Sequence, residues 1–96
     1  MAKAKRAQKR TFHNIGLFVR VKRLESGLSQ TDLAKALGFK NGQFVYNVER
    51  GLCSIPEHKI AHAADILSVS PYTLIRHMVR DYKSNLAGAV AEAGER

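Results

Sequence analysis

A chain of 96 residues has room for one domain with a single modest core. It carries 16 Lys/Arg against 8 Asp/Glu, a formal net charge of +8, and no apolar run long enough to cross a bilayer as a helix. The lone Cys53 excludes an internal disulfide and suits a reducing cytosol, where a buried apolar thiol is its ordinary role. The charge is segregated. Residues 1–50 hold 11 Lys/Arg and 3 Asp/Glu, whereas residues 51–96 hold five of each. A basic half joined to a neutral half is the footprint of a polyanion binder.

Residues 1–13 are expected to form a disordered basic arm without the apolar stretch of a signal peptide. Its cations Lys3, Lys5, Arg6, Lys9 and Arg10 can lie along phosphates or enter a minor groove; the plainer role is non-specific attraction. Asn14 is a candidate N-cap for a helix from Ile15 to about Ser26, closed by Gly27. That helix is apolar on two sides, with Ile15, Phe18 and Val19 on one and Leu17, Val21 and Leu24 on the other. The second side calls for cover by the last helix or a partner chain.

Ser29 and Asp32 make a capping box for a second helix, with Leu33, Ala34 and Leu37 inward and Gly38 at its end. Gln30 falls in the first turn, where free N–H groups and the helix dipole favour a phosphate oxygen. A third helix is expected over 41–52, capped by Asn41, with Gly42 sparing a side chain where backbone approaches a ligand. At about 100° per residue, Phe44, Val45, Val48, Glu49 and Leu52 share one arc. Gln43, Tyr46, Asn47 and Arg50 share the opposite arc. Two amides, a phenol and a guanidinium can hydrogen-bond base edges and phosphates, so this is the expected DNA-reading helix.

Ser54-Ile55-Pro56-Glu57 reads as a further cap, opening a helix to about Leu67 with Ile60, Ala63, Ala64 and Leu67 inward. Ser70-Pro71 opens the last helix, where Leu74, Ile75, Met78, Val79, Tyr82 and Leu86 form a stripe longer than a small core needs. The surplus points to homodimer contact. Residues 87–96 are expected to fray, leaving 14–86 as an all-α, five-helix domain with a helix-turn-helix.

In its residues from about 15 to 80 the chain resembles the Cro- and phage-repressor-like helix-turn-helix proteins, also called xenobiotic-response-element-type regulators. The markers are Arg23, Gly27-Leu28-Ser29-Gln30, Leu33-Ala34, Leu37-Gly38, Val45, Val48, Glu49-Arg50-Gly51, Ile60-Ala61 and Leu67-Ser68-Val69-Ser70 with Leu74. The resemblance implies a lambda-repressor-like fold and an ion pair between Arg23 and Glu49. It implies phosphate contact at Gln30 and Arg50, and a major-groove position for Asn41, Gly42, Gln43, Tyr46 and Asn47. It also implies a bacterial or phage protein working in the cytoplasm. In one respect the sequence departs from the pattern: six residues separate Gly38 from Val45, one more than the usual spacing. The longer turn leaves open which of Lys40, Asn41 and Gln43 reaches a base. Gln43 and Asn47 rank first for base contact, since an amide pairs bidentately with adenine. Asn41 and Tyr46 are further base candidates, and Lys40 and Gly42 are assigned to phosphate.

No nucleophile elbow or glycine-rich phosphate loop is present, and His58 and His62 lack a second pair of ligands, so neither an enzyme nor a metal or other cofactor is expected. The leading reading is a sequence-specific double-stranded DNA-binding repressor, dimeric on an inverted repeat. Two alternatives use the same residues: a protein-interaction module such as the DNA-binding antitoxin of a toxin–antitoxin pair, and a non-specific nucleoid protein.

Overall fold

A computed structural model describes residues 11–94 as five helices with no strand among the described residues. They are α1 (His13–Glu25), α2 (Gln30–Ala36), α3 (Gln43–Glu49), α4 (Ile60–Ile66) and α5 (Pro71–Gly94). The arm cations Lys3, Lys5, Arg6, Lys9 and Arg10 lie outside the described residues.

Helix α1 is not capped by its own sequence. It starts at His13, one residue before the expected cap Asn14, and Phe12 at the cap position contributes no side-chain bond. The cap comes from α5. Asp81 Oδ1 accepts the Asn14 N–H at 2.8 Å, and its Oδ2 accepts the Ile15 N–H at 3.0 Å. Asn14 Nδ2 donates to the same Oδ1 at 2.9 Å. A carboxylate suits these free N–H groups and the positive end of the helix dipole. Because Asp81 is only 2% exposed, these three bonds replace the water it gives up. One turn further along α5, Asn85 accepts the Thr11 N–H and donates to the Thr11 carbonyl. At the other end of α1, Gly27 takes φ +73°, which lets the Leu28 N–H reach the Arg23 carbonyl and close the helix.

Helix α2 has the expected reciprocal box. Asp32 N–H donates to Ser29 Oγ, and Ser29 N–H donates to the Asp32 carboxylate. The backbone N–H of Ser29, and then its side chain, hold the Asp32 carboxyl below its ordinary pKa. Helix α3 is shorter than the expected 41–52. It ends at Glu49 because Gly51, at φ +77°, turns the chain so that Leu52 N–H bonds back to the Asn47 carbonyl. Leu52 therefore leaves the inward arc and stands 63% exposed.

The box expected at Ser54–Glu57 does not form. Ile55 precedes a proline, which biases it away from helical geometry, and Pro56 itself is extended at ψ 144°. A 3-10 turn over Glu57–Lys59 leads instead into α4. Helix α4 closes with Ser68 at φ +59°, a left-handed position that costs a residue bearing a Cβ. Helix α5 is capped by Ser70 Oγ, which accepts the Tyr72 N–H at 3.1 Å. It runs to Gly94, past the expected end near Leu86. Alanine-rich sequence extends a helix at little cost once the preceding turns are anchored.

Each helix sends side chains to one core. Ile15 and Val19 meet Leu33, Ala34 and Leu37, Val45 and Val48, Ala63, Ala64 and Leu67, and Leu74. Gly16 is the point of closest approach between α1 and α3, since a Cβ there would collide with the Val48 carbonyl oxygen. Of α1's two apolar sides, the Phe18 edge stacks on His77 of α5 with ring centroids 4.4 Å apart. Burial, followed by the charges of Arg80 and Arg76, pushes the His77 pKa down. Leu17, Val21 and Leu24 stay exposed. Cys53 packs half-buried against the core, and that burial raises its thiol pKa. No helix among the described residues is long and apolar enough to cross a membrane.

Two stability measurements follow. Asp81→Ala strips the cap from α1 and leaves two N–H groups short of a partner; urea denaturation should show a loss of about 2 kcal/mol. Ser68→Gly relieves the left-handed strain and should gain about 0.5–1 kcal/mol, read as a rise of a few degrees in Tm.

Candidate nucleic-acid interface

Helix α3 divides as the 3.6-residue period requires. Val45 and Val48 are each 1% exposed, while Gln43, Tyr46 and Arg50 are exposed and Asn47 half-buried on the opposite side. The four polar side chains come together in two pairs. Gln43 Nε2 donates to Asn47 Oδ1 at 2.9 Å, and Arg50 Nη1 donates to the Tyr46 hydroxyl at 2.6 Å. The Arg50 guanidinium also lies 5.5 Å from the Tyr46 ring centroid.

The approach to α3 is built around its longer turn. Asn41 Oδ1 accepts the Gln43 N–H at 3.0 Å, and Gly42 already has helical dihedrals, so the Asn41 amide performs the expected capping. The extra residue is filled by an aromatic stack: Phe39 lies on Phe44 with centroids 4.1 Å apart. Lys59 covers that stack at 5.0 Å and donates to the Leu37 carbonyl at 2.5 Å, completing the end of α2. Lys40 and Asn41 are held exposed at the tip. Gly42 also has a packing role that its spacing did not suggest. A Cβ there would crowd Thr31 Oγ1 at 3.1 Å and Thr31 N at 3.2 Å, so the missing side chain lets α3 abut the first turn of α2.

Behind the turn lies a buried polar network. Arg23 Nε donates to Glu49 Oε2 at 2.6 Å and Nη2 to Oε1 at 3.0 Å, a bidentate pair with side chains 8% and 3% exposed. Arg23 Nη1 donates to the Leu28 carbonyl at 2.9 Å. Gln30 Nε2 adds a third bond to the carboxylate, at 3.0 Å to Oε1. The hydrogen bond that Arg23 donates to Glu49 outweighs burial and raises the Arg23 pKa above its ordinary value. The geometry thus brings together Gln30, Arg23 and Glu49, and separately the four outward residues of α3. Spacing gave no sign of Lys59, whose hydrogen-bond acceptor is a backbone carbonyl 22 residues away.

No protein-family model matches the chain, and no curated protein does. Solved structures do. The restriction-modification controller protein C.AhdI from Aeromonas hydrophila is 32% identical, the match covering 66% of this chain and 90% of that one, with a TM-score of 0.58. SinR, described as the master regulator for biofilm formation and solved in complex with DNA, is 29% identical over 64% of this chain and 97% of that one, TM-score 0.56. A hypothetical transcription factor from Neisseria, NHTF, is 25% identical over 76% and 85%, TM-score 0.59.

Arg23→Ala leaves the Glu49 carboxylate buried without its cation and should cost about 3 kcal/mol in urea denaturation. The apolar pair Arg23→Met with Glu49→Leu should cost less than either single change, because no charge is then stranded.

Proposed function

The chain belongs to the Cro- and phage-repressor-like helix-turn-helix family of DNA-binding regulators, which are not enzymes, and on that footing we propose that it is a sequence-specific repressor working as a homodimer in the cytoplasm. The observation that carries the proposal is the division of α3: a buried Val45–Val48 edge and, facing solvent, Gln43, Tyr46, Asn47 and Arg50. In this reading α3 lies in the major groove, with Asn41, Gln43, Tyr46 and Asn47 at base edges. Gln30, Lys40, Gly42 and Arg50 meet the flanking phosphates, and the arm cations add counterion release.

Support for the dimer comes from α5. Leu74 is buried and Ile75 and Met78 half-buried, but Val79, Tyr82 and Leu86 continue the same stripe at 47%, 58% and 45% exposure. A second copy is the simplest cover for an apolar stripe repeating at helical spacing. Two copies would set two α3 helices into grooves about 34 Å apart, and the operator would be an inverted repeat. One observation favours a protein partner as a second reading: the exposed Leu17, Val21 and Leu24 form a further apolar stripe on α1. A stoichiometric protein that co-purifies and shields that stripe from exchange would support it.

Selection of bound duplexes from a random pool tests the main reading. An inverted repeat should be enriched, and affinity for it should fall steeply as salt rises. Enrichment of no motif would refute sequence specificity, and a monomer on a single half-site would refute the dimer.

A further inference from the structure

We propose that the outward residues of α3 engage DNA as two locked pairs, Gln43–Asn47 and Tyr46–Arg50, and that the second pair is a donor-only clamp for hydrogen-bond acceptors. The proposal rests on the DNA-reading assignment made above and specifies the chemistry of what that helix meets.

The polarity of the Tyr46–Arg50 bond is fixed by chemistry. A guanidinium only donates, so in the 2.6 Å bond from Arg50 Nη1 the phenol oxygen is the acceptor. The hydroxyl proton is then turned away from Arg50 and is free to donate. The guanidinium, held 5.5 Å from the ring centroid, has its remaining N–H groups free as well. Together the pair presents donors and a positive charge. Its complement is an acceptor oxygen or nitrogen: a phosphate oxygen, guanine O6 or N7, adenine N7, or thymine O4. The exocyclic amino groups of adenine and cytosine are donors and are rejected.

The amide pair differs. Gln43 commits one N–H to Asn47 Oδ1 and keeps a second N–H and its Oε1. That remaining donor and acceptor match the N7 and N6 edge of adenine. Asn47 keeps both Nδ2 donors and the second lone pair of its Oδ1. Each amide thus retains a donor and an acceptor, the complement of an adenine edge. Because each side chain is restrained by its partner before DNA arrives, less rotamer freedom is lost on binding. Removing one member also frees the other, so the two members of a pair are energetically coupled.

The experiment uses the full chain and the duplex it enriches from a random pool. Affinities are measured for Tyr46→Phe, Arg50→Ala and the double variant, and for Gln43→Ala, Asn47→Ala and their double variant. These side chains lie on the solvent side of α3, and thermal melts check that each variant folds. Tyr46→Phe keeps the ring under the guanidinium and removes only the hydroxyl; it should weaken binding about tenfold. Each double variant should be little worse than its weaker-binding single. Two arms separate the sources of the acceptor. If it is phosphate, Tyr46→Phe weakens enriched and scrambled duplexes alike. If it is a base, the loss is confined to the enriched duplex, and reselection with the variant relaxes one purine or thymine position. Strictly multiplicative losses within a pair, or unchanged binding by Tyr46→Phe, overturn the proposal. A wild-type chain that enriches no motif instead overturns the DNA-reading assignment beneath it.

Discussion

The Glu49 carboxylate is the constraint on which the reading unit depends. It sits at the last residue of α3 with its side chain 3% exposed, and it accepts from Arg23 on α1 and from Gln30 on α2. Three helices of seven to thirteen residues cannot be held at fixed angles by a small apolar core alone, because apolar contacts are non-directional. A bidentate ion pair is directional, and it fixes both the distance and the rotation of α3 against α1. Gln30 extends this control to the first turn of α2. One carboxylate thus orients the helix assigned to the major groove together with the amide assigned to phosphate.

The other polar fixture is Asp81, and it joins the reading unit to α5. Asp81 caps α1, α1 meets α3 at Gly16 with no side chain between them, and Asn85 ties Thr11 to α5 one turn further on. Both Asp81 and Glu49 are buried acids, and both are fully engaged. Asp81 is matched by helix N–H groups and Glu49 by a cation and an amide. The partner differs because the positions differ: Asp81 reaches a helix start, where unpaired donors are already present. The Glu49 carboxylate takes its donors from the side chains of Arg23 and Gln30.

Much of this was legible in the sequence. The Ser29–Asp32 box, Gly27 and Ser70-Pro71 announce their helix ends because each acts within three or four residues of itself. The inward set of α3 followed from its period as far as Glu49. It failed at Leu52, since Gly51 stops the helix and a period has no meaning past a turn. Ser54–Glu57 failed for a related reason: the box pattern fits, but Pro56 denies Ile55 the geometry the pattern assumes. Nothing in the spacing marked Asp81, Lys59 or Gly16. Asp81 and Lys59 act on backbone groups 67 and 22 residues away, and Gly16 on the close approach of another helix. Backbone partners leave no trace in side-chain type, so a polar residue on an amphipathic helix reads as solvated until the fold shows what it meets. The four outward residues of α3 were legible as a set, but their pairing was not, since i,i+4 neighbours can bond to each other or to solvent.

The two polar fixtures together bear on how a dimer would read DNA. If a second copy covers the exposed half of the α5 stripe, the distance between two α3 helices is set by α5, and any looseness between α5 and α3 spreads that distance. Every joint on this path is directional or sterically tight. Asp81 binds consecutive N–H groups with both oxygens, Gly16 admits no slack against the Val48 carbonyl, and Arg23 grips Glu49 with two nitrogens. Duplex DNA repeats its major groove at a fixed interval of about 34 Å, so a reader whose two halves are stiffly connected loses little freedom when both bind. The same stiffness penalises any site whose half-sites are spaced differently. Selectivity for spacing would then reside in buried groups behind the reading surface, and selectivity for sequence in the two side-chain pairs proposed to meet DNA.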